Sequence, residues 1–504
     1  MGFMGAGKST ALAAARGAGL ETTECDDLME ADLGMPIADA FERDGEEAFR
    51  AREAEVVGGL LERADGGAIG LGGGSVLLER VRAALGRHLV VWLQVDPDVA
   101  WERIAGTDRP LVRSRELVER LIAERAPIYE SLADAVIMPS NPGVAERALP
   151  ALLAMREISS THSARMLWAS SASGEYPVLT GEGILGEWWP EVAGRRFCVT
   201  DRTVGGLYAE RIEPLAARIE VDPGEGAKTM AEAERVLEAL TEAGMTRADH
   251  LVALGGGVIG DLGGFCAHTY QRGVEVVQVP TTIVAQVDSA YGGKTGVDLP
   301  QAKNYVGAYH LPAAVIADWE TIRSLPGEEL AAGFVEVLKT GLLAGGALWP
   351  RVRDIPAGSL AESSWVAFDC ARYKCGVVAA DERDSGWRNV LNLGHTVGHA
   401  IEAASGYSRY RHGEAIGLGL LATLRLSGAG DLRAQVLDWL GRQGLPITLD
   451  RAVALEEVIA AVGRDKKRTS AGVPFVLLSE PGDPRPGQVV DPHNVEPAIE
   501  ELYG

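Results

Sequence analysis

Cysteine is scarce: five residues in 504 (Cys25, Cys198, Cys266, Cys370, Cys375), an odd number with no Cys-x-x-Cys. That excludes a disulfide-built scaffold and fits a reducing compartment. Basic charge is in deficit, with 48 Lys and Arg against 71 Asp and Glu, a formal net charge of −23. A nucleic-acid or anionic-membrane surface is therefore not expected. A locally basic pocket for a small anion remains open. Long apolar runs are absent. The longest, 415–424, is far too short to span a bilayer. No signal-peptide pattern is visible, so the expected location is the cytoplasm. No repeat with a period of about 20–50 residues is present either. What is present is 46% apolar residues over a length that predicts two or three domains.

The stretch "REISSTHSARMLWASSASGE" (156–175) is rich in serine and alanine and has no sustained helical stripe. It predicts a linker over 156–166, with domains at 1–155 and from 167 onward. Before it, apolar runs such as "HLVVWLQV" alternate with charged segments of helical period, an α/β pattern. After it, "RFCVTD", "HLVALGGG" and "VEVVQVP" read as strands, each running into a loop of Gly, Thr or Asp. Beyond about Leu325 the signals are mostly helical. The second region thus divides into an α/β half, 167–325, and an α-helical half, 326–504.

The chain opens "MGFMGAGKST", which contains Gly-x-x-x-x-Gly-Lys-Ser at 2–9. Gly2, Gly5 and Gly7 let backbone N–H groups wrap phosphates, Lys8 neutralises them, and the Ser9 hydroxyl, with Thr10 beside it, suits Mg²⁺ and nucleotide. The helical stretch that follows, "STALAAAR", distinguishes this from a glycine-rich tail.

With "ECDDLMEADLGMPIADAFERDGEEAFRAREAEV", "LGGGSV", "DRPLV" and "ERAPIYE", the first domain resembles shikimate kinase along nearly its whole length. The resemblance implies a parallel-sheet P-loop fold and ATP with Mg²⁺. It makes Asp26 the carboxylate that holds and helps activate a shikimate hydroxyl. It places Glu24 near the metal, where aspartate is usual. Arg50 and Arg125 would grip the substrate carboxylate in bidentate fashion, and Gly72, Gly73 and Gly74 would lie against the ring. Arg109 would close over the phosphates, and Arg103 would pack on the adenine. Each arginine alone reads as a solvated surface charge; their order and spacing argue otherwise. In the family a central strand precedes the phosphate loop, and here only Met1 does. The expectation is a translation start several residues upstream; the alternative is a truncated, inactive kinase domain.

In the second region, three of nine histidines fall within "HTVGHAIEAASGYSRYRH". His395 and His399 share a helix face, and His412 follows a short loop. Two such histidines are more often packing or capping residues; the third, with glycine neighbours, brings a metal site level with that reading. Residues alone pair His395 with His399 on the metal. "LVALGGGVIGDLGGF" ends a strand in three glycines and predicts a helix opening at Gly260-Asp261, suited to a pyrophosphate. "QVPTTIVAQVDSAYGGKTGVDLPQAKNYVGAYH" is small, polar and lysine-bearing, as a phosphorylated polyol pocket requires.

Together these three blocks resemble 3-dehydroquinate synthase, from about Tyr176 to near the C-terminus. The resemblance implies NAD⁺ and a catalytic zinc, or cobalt, on Glu336, His395 and His412, and moves His399 to the substrate phosphate. It implies substrate contacts at Arg272, Lys294, Lys303, Asn304, Lys374, Arg388 and Asn392, with Lys466 or Lys467 adding another. Asp288 belongs to the hydroxyl end of the pocket, and Lys339, at i+3 from Glu336, to the same side of its helix. Cofactor contacts fall on Asp201, Glu225, Lys228, Gly256, Gly257, Asp261, Thr281 and Thr282. A homodimer through this region is implied as well. Departures from the family are Thr203, Ala290-Tyr291, Ala302 and Leu311; none removes a ligand or catalytic group.

The leading expectation is a bifunctional enzyme of aromatic biosynthesis. It would cyclise a seven-carbon keto acid phosphate, 3-deoxy-D-arabino-heptulosonate 7-phosphate, and phosphorylate shikimate. The alternatives are a synthase with an inactive kinase-like module, a sugar phosphate cyclase making another carbocycle, and a plain metal-dependent alcohol dehydrogenase.

Overall fold

The computed structural model describes residues 1–105, 114–139, 143–300, 302–464 and 472–504. They form two compact units. The first holds 1–170, 175–179 and 187–191. Its strands are short. β1 (Thr22–Glu24) pairs in parallel with β2 (Ala68–Gly70). β3 (Val91–Leu93) pairs in parallel with β4 (Ala135–Ile137), and β4 with β5 (Arg165–Ser171); β6 (Gly174–Gly181) comes next in the sheet.

The residues ahead of the phosphate loop lie along β3. The Met1 amino group donates to the Val91 carbonyl at 2.7 Å, and Leu93 N–H donates to the Met1 carbonyl at 2.9 Å. Phe3 and Met4 then pack with Val95, Ala100, Ile104 and Val118. Residues 1–3 do not form a regular strand, and β1–β2 stands as a sheet separate from β3–β4.

The stretch expected to be a linker is not one throughout. The Val144–His162 helix runs through its first half, and β5 begins at Arg165. Ala148, Leu152, Met155 and Ile158 supply the buried stripe, most of it ahead of the serine-rich segment that gave the linker reading. β5 pairs with β4, Ala135 opposite Met166, and so covers an edge that would otherwise be open.

The second unit holds 171–174, 180–186 and 192–504. Its sheet comprises β7 (Arg196–Asp201), β8 (Ala217–Val221), β9 (His250–Gly255), β10 (Val276–Pro280) and β13 (Ala314–Asp318), in the order β13-β10-β9-β7-β8, with neighbours parallel. β9, β10 and β13 are buried at every position, which explains their near-continuous apolar sequence. Between them comes a hairpin, β11 (Lys294–Leu299) with β12 (Ala302–Tyr309). The Gly257–Thr269 helix opens three residues earlier than the glycine pattern suggested, so Asp261 sits one turn inside it. Helices Gly327–Ala344, Trp365–Ala380, His395–Ala404, His412–Leu426 and Gly430–Arg442 follow, but an antiparallel pair of strands, Pro474–Leu478 with Pro484–Val489, lies in the half expected to be helical. Their core includes Trp319, Phe334 and Trp439.

Two of these helices cross almost in backbone contact. A side chain on Gly419 would strike the Gly394 carbonyl and the Gly398 amide. This crossing sets His395 and His412 side by side. Gly419→Ala is therefore expected to destabilise this unit by about 3 kcal/mol, the upper range for overpacking, read as a fall in its unfolding midpoint.

Candidate active sites

In the first unit a cavity of about 620 Å³ is lined by Gly7, Lys8, Ser9, Glu24, Asp26 and Arg103 among others. Gly5 and Gly7 take left-handed backbone (φ 79 and 87), and Gly7 caps the Lys8–Gly17 helix, whose N-terminus faces the cavity. Lys8 Nζ curls back onto the carbonyls of Gly2 (3.1 Å) and Phe3 (3.0 Å). The Ser9 hydroxyl donates to Glu24 Oε1 at 2.8 Å. A hydroxyl and a carboxylate so paired are the donors that a magnesium ion takes. Glu24 in place of aspartate still reaches.

The arginines expected to grip a carboxylate converge on one loop. Buried Arg125 donates to the Gly73 carbonyl at 3.1 Å, beside the Tyr129 hydroxyl at 2.6 Å. A side chain on Gly74 would strike the Arg50 guanidinium, and one on Gly72 would stand 3.1 Å from Asp26 Oδ1. Arg50 is held by buried Glu53 at 2.5 Å, which also accepts from the Ser75 hydroxyl at 2.6 Å. Sequence reasoning missed Glu53, Ser75 and Tyr129, although Glu53 stands at i+3 from Arg50. Arg103 is exposed and donates to the Gly5 carbonyl at 2.8 Å. Thr10 is exposed at the cavity wall. Arg109 and both Lys466 and Lys467 lie outside the described residues.

In the second unit Glu336, His395 and His412 come together, with donor atoms within 4.8 Å of one another. Each sits on a different helix, and His395 and His412 each open theirs. Glu336 Oε1 is 3.7 Å from His395 Nε2 and 3.5 Å from His412 Nε2. The carboxylate is buried and accepts no well-directed hydrogen bond, although Lys339 Nζ stands 2.5 Å from Oε2. Burial opposes its charge, but Lys339, His395 and His412 outweigh burial and hold it well below the usual carboxylate range. Burial, with Lys339 adding to it, pushes the His395 pKa well below the usual imidazole range. Burial opposes charge on His412 too, yet Glu336 and Glu402 push its pKa up to about 10. A proton and a metal cation compete for such a nitrogen. A buried, under-bonded carboxylate facing two imidazole nitrogens fits a zinc-type cation with a position left open. The pairing of His395 with His399 suggested by helix spacing is not this triangle: His399 is exposed, its ring 5.2 Å from that of His395 and 5.9 Å from that of His412.

Lys339 stands against the triangle, and most of the other cationic groups expected to receive substrate are tethered. Asp288, in a π-helical turn at Ala285–Ser289, bridges Lys339 (3.2 Å) and Lys374, which also donates to its carbonyl at 2.5 Å. Lys294 pairs with Asp384 at 2.6 Å. Arg388 is buried and donates to the carbonyls of Glu382 (2.6 Å) and Gly292 (3.1 Å). Asn392 Nδ2 donates to the Asn389 carbonyl at 3.0 Å. Arg272 is exposed with left-handed backbone (φ 72) and bonds to none of these groups. Tyr291, a departure from the family, is fully buried and donates to the Gln286 carbonyl at 2.5 Å, where it braces the turn that carries Asp288.

Asp381 shapes the loop before Arg388. It accepts from the backbone N–H groups of Ser385 (2.8 Å), Gly386 (2.8 Å) and Arg388 (3.0 Å), and from the Ser385 hydroxyl (2.9 Å). Burial opposes its charge, but these donors win and hold its carboxyl well below the usual range. Its stabilisation is thus complete above the unfolded value of about 3.9 and is lost as pH falls toward the folded one. Asp381→Asn is expected to lower the melting temperature at pH 7, with the gap to wild type narrowing as pH falls below 4.

At the glycine-rich end, a side chain on Gly256 would press on Thr282 Cγ2, and one on Gly257 on Ser289 Oγ. Thr282 Oγ1 accepts from Ala285 N–H at 3.3 Å, while buried Thr281 Oγ1 has no hydrogen-bond partner among the described residues. Buried Lys228 lies between Glu225 (2.9 Å) and Asp261 (3.3 Å). Burial pushes Asp261 up to about 6, with Lys228 pulling the other way. Asp201 caps the Arg202–Tyr208 helix through Thr203 and Val204 N–H, both at 2.9 Å. Lys303 stands 3.7 Å from Glu225 and over the Tyr407 ring at 4.6 Å. Asn304 sits beside it in left-handed backbone (φ 55), its N–H on Asp298 at 2.7 Å.

Known proteins match both units. The shikimate kinase family profile matches residues 4–152. The N-terminal and C-terminal 3-dehydroquinate synthase profiles match 218–332 and 333–468. The 3-dehydroquinate synthase of Symbiobacterium thermophilum is 41% identical over 346 residues, which cover 64% of this chain and 95% of that protein. That of Halorhodospira halophila is 41% identical, with 63% and 94% covered. The chain belongs to the 3-dehydroquinate synthase family, and it carries a shikimate kinase domain at its N-terminal end. Among solved structures, 2-deoxy-scyllo-inosose synthase complexed with carbaglucose-6-phosphate, NAD⁺ and Co²⁺ shares the fold (TM-score 0.60, 23% identity, 67% of this chain and 99% of that one). So does 2-epi-5-epi-valiolone synthase from Streptomyces hygroscopicus with NAD⁺ and Zn²⁺ bound (TM-score 0.56, 24% identity, 65% and 96% covered). The second family segment carries Glu336, His395 and His412; the first carries Lys228, the glycine loop and Asp288. No helix among the described residues is long and apolar enough to cross a membrane.

Proposed function

We propose that both halves are active enzymes. The second unit cyclises 3-deoxy-D-arabino-heptulosonate 7-phosphate to 3-dehydroquinate with release of phosphate. The first transfers phosphate from ATP to shikimate. The observation that carries the cyclase reading is the Glu336, His395 and His412 triangle with Lys339, Asp288 and Lys374 packed against it. NAD⁺ supplies a reversible hydride acceptor, and a zinc-type cation lowers the pKa of the hydroxyl to be oxidised. The chain does the rest. Glu336, His395 and His412 hold the cation; Gly256, Gly257, Glu225, Lys228, Asp261, Thr281, Thr282 and Asp201 form the cofactor end. Lys294, Lys339, Lys374, Arg388, Arg272, Asn304 and Asn392 receive a substrate that bears a phosphate and a carboxylate. Asp288 receives its hydroxyls, and His399 its phosphate. Lys303 belongs to the cofactor end through Glu225.

In the first unit Lys8 and the loop glycines hold the phosphates, Ser9 and Glu24 hold Mg²⁺, and Asp26 takes the shikimate hydroxyl. Arg125, fixed on the Gly73 carbonyl, and Arg50, fixed by Glu53 beside Gly74, hold the shikimate carboxylate. A homodimer through the synthase region and a cytoplasmic location complete the reading.

Treatment with 1,10-phenanthroline in excess Mg²⁺ is the test. Phosphate release from the seven-carbon substrate should stop while shikimate-dependent ADP formation continues. Cyclisation that survives full metal removal would refute the triangle's role.

A further inference from the structure

His412 has two ring nitrogens and a carboxylate against each. Nε2 faces Glu336 Oε1 at 3.5 Å; Nδ1 faces Glu402 Oε1 at 3.4 Å. We infer that Glu402 is a positioning residue that fixes the tautomer and ring orientation of His412 so that Nε2 presents its lone pair to the Glu336 and His395 side. This inference rests on reading Glu336, His395 and His412 as metal ligands.

A neutral imidazole carries one N–H and one lone pair. A lone pair on Nε2 requires the proton on Nδ1, and an acceptor beside Nδ1 selects that form. His395 is arranged in the same way, with its Nδ1 on the Leu393 carbonyl at 3.1 Å and its Nε2 toward Glu336. Two histidines from different helices thus turn the same nitrogen to one point. Glu402 is 7% exposed, and its carboxylate has His412 as its hydrogen-bond partner among the described residues. It stands seven residues, about two turns, beyond His395 on the same helix face. His399, Glu402 and His412 also lie close enough to hold an ion themselves. That arrangement would need the Nδ1 lone pair and leave a proton on Nε2, aimed at Glu336. The buried, under-bonded state of Glu336 and the committed Nδ1 of His395 favour the first placement.

The test is Co²⁺ binding to the full metal-free chain, measured by competition with a chromophoric chelator and by the visible Co²⁺ spectrum. Wild type, Glu402→Ala, Glu402→Gln and Glu336→Gln are compared. Glu402→Ala is expected to bind Co²⁺ about 10–100-fold more weakly, the usual loss for a group behind a ligand. Glu402→Gln, which still accepts the Nδ1 proton, should weaken binding less and keep the wild-type spectrum. Glu336→Gln should change both affinity and spectrum. Wild-type affinity in Glu402→Ala overturns the inference. So does a Glu402→Gln spectrum altered as in Glu336→Gln, which would make Glu402 a ligand. Wild-type binding in Glu336→Gln would instead refute the metal assignment beneath it. Glu402→Gln, nearly isosteric, answers the question if Glu402→Ala does not fold.

Discussion

Glu336→Gln is expected to lower cyclisation by about 10³-fold or more, about 4 kcal/mol in the barrier, while shikimate phosphorylation is unchanged. Glutamine has nearly the same size, so the Gly327–Ala344 helix should pack as before. The change removes a buried negative charge faced by two imidazoles and a lysine. Lys339 keeps Asp288 at 3.2 Å but loses its nearer partner, so a buried cation is left half-compensated. The effect should fall on kcat rather than KM, because the phosphate and carboxylate contacts remain. Parallel assays of phosphate release and ADP formation check it. Equal loss of both activities would mean a folding defect.

Lys8→Ala should do the reverse. Shikimate phosphorylation is expected to fall by about 10²–10³-fold, as when one charged donor to a transferring group is removed, with cyclisation intact. Lys8 is half-buried and donates to two loop carbonyls, those of Gly2 and Phe3, rather than packing in the apolar core. A melting temperature near that of wild type should accompany the loss, which separates a catalytic role from a structural one. Phosphorylation that persists would refute the phosphate-loop reading.

Much of the chemistry was legible in the sequence, because glycine loops and histidine spacings are local. The phosphate loop, "LGGG" and the helix-opening histidines needed no tertiary information. Partners distant in sequence were not legible from spacing. Glu336 lies 59 positions before His395 and joins it only because three helices cross at glycines. Resemblance supplied that residue; periodicity did not. Helix spacing favoured His399 at i+4, yet the residue that His395 Nε2 faces at 3.7 Å is Glu336, on another helix. Glu402, Asp381 and Glu53 carry no local signal in the sequence, and their burial shows only once the helices and loops around them are assembled. The serine-rich stretch looked like a linker because its buried stripe begins earlier, at Ala148. Tyr291 stood out as a departure from the family, and the structure shows its ring in the core and its hydroxyl satisfied by the Gln286 carbonyl.

The central claim is that one chain carries two working sites of unlike chemistry. The most direct measurement is shikimate-dependent ADP formation and phosphate release from the seven-carbon substrate by one purified preparation of the full chain. Both activities should be present. The first should be lost in Lys8→Ala alone and the second in Glu336→Gln alone. Phosphate release without any shikimate-dependent ADP formation would contradict the account and leave the first unit a binding module.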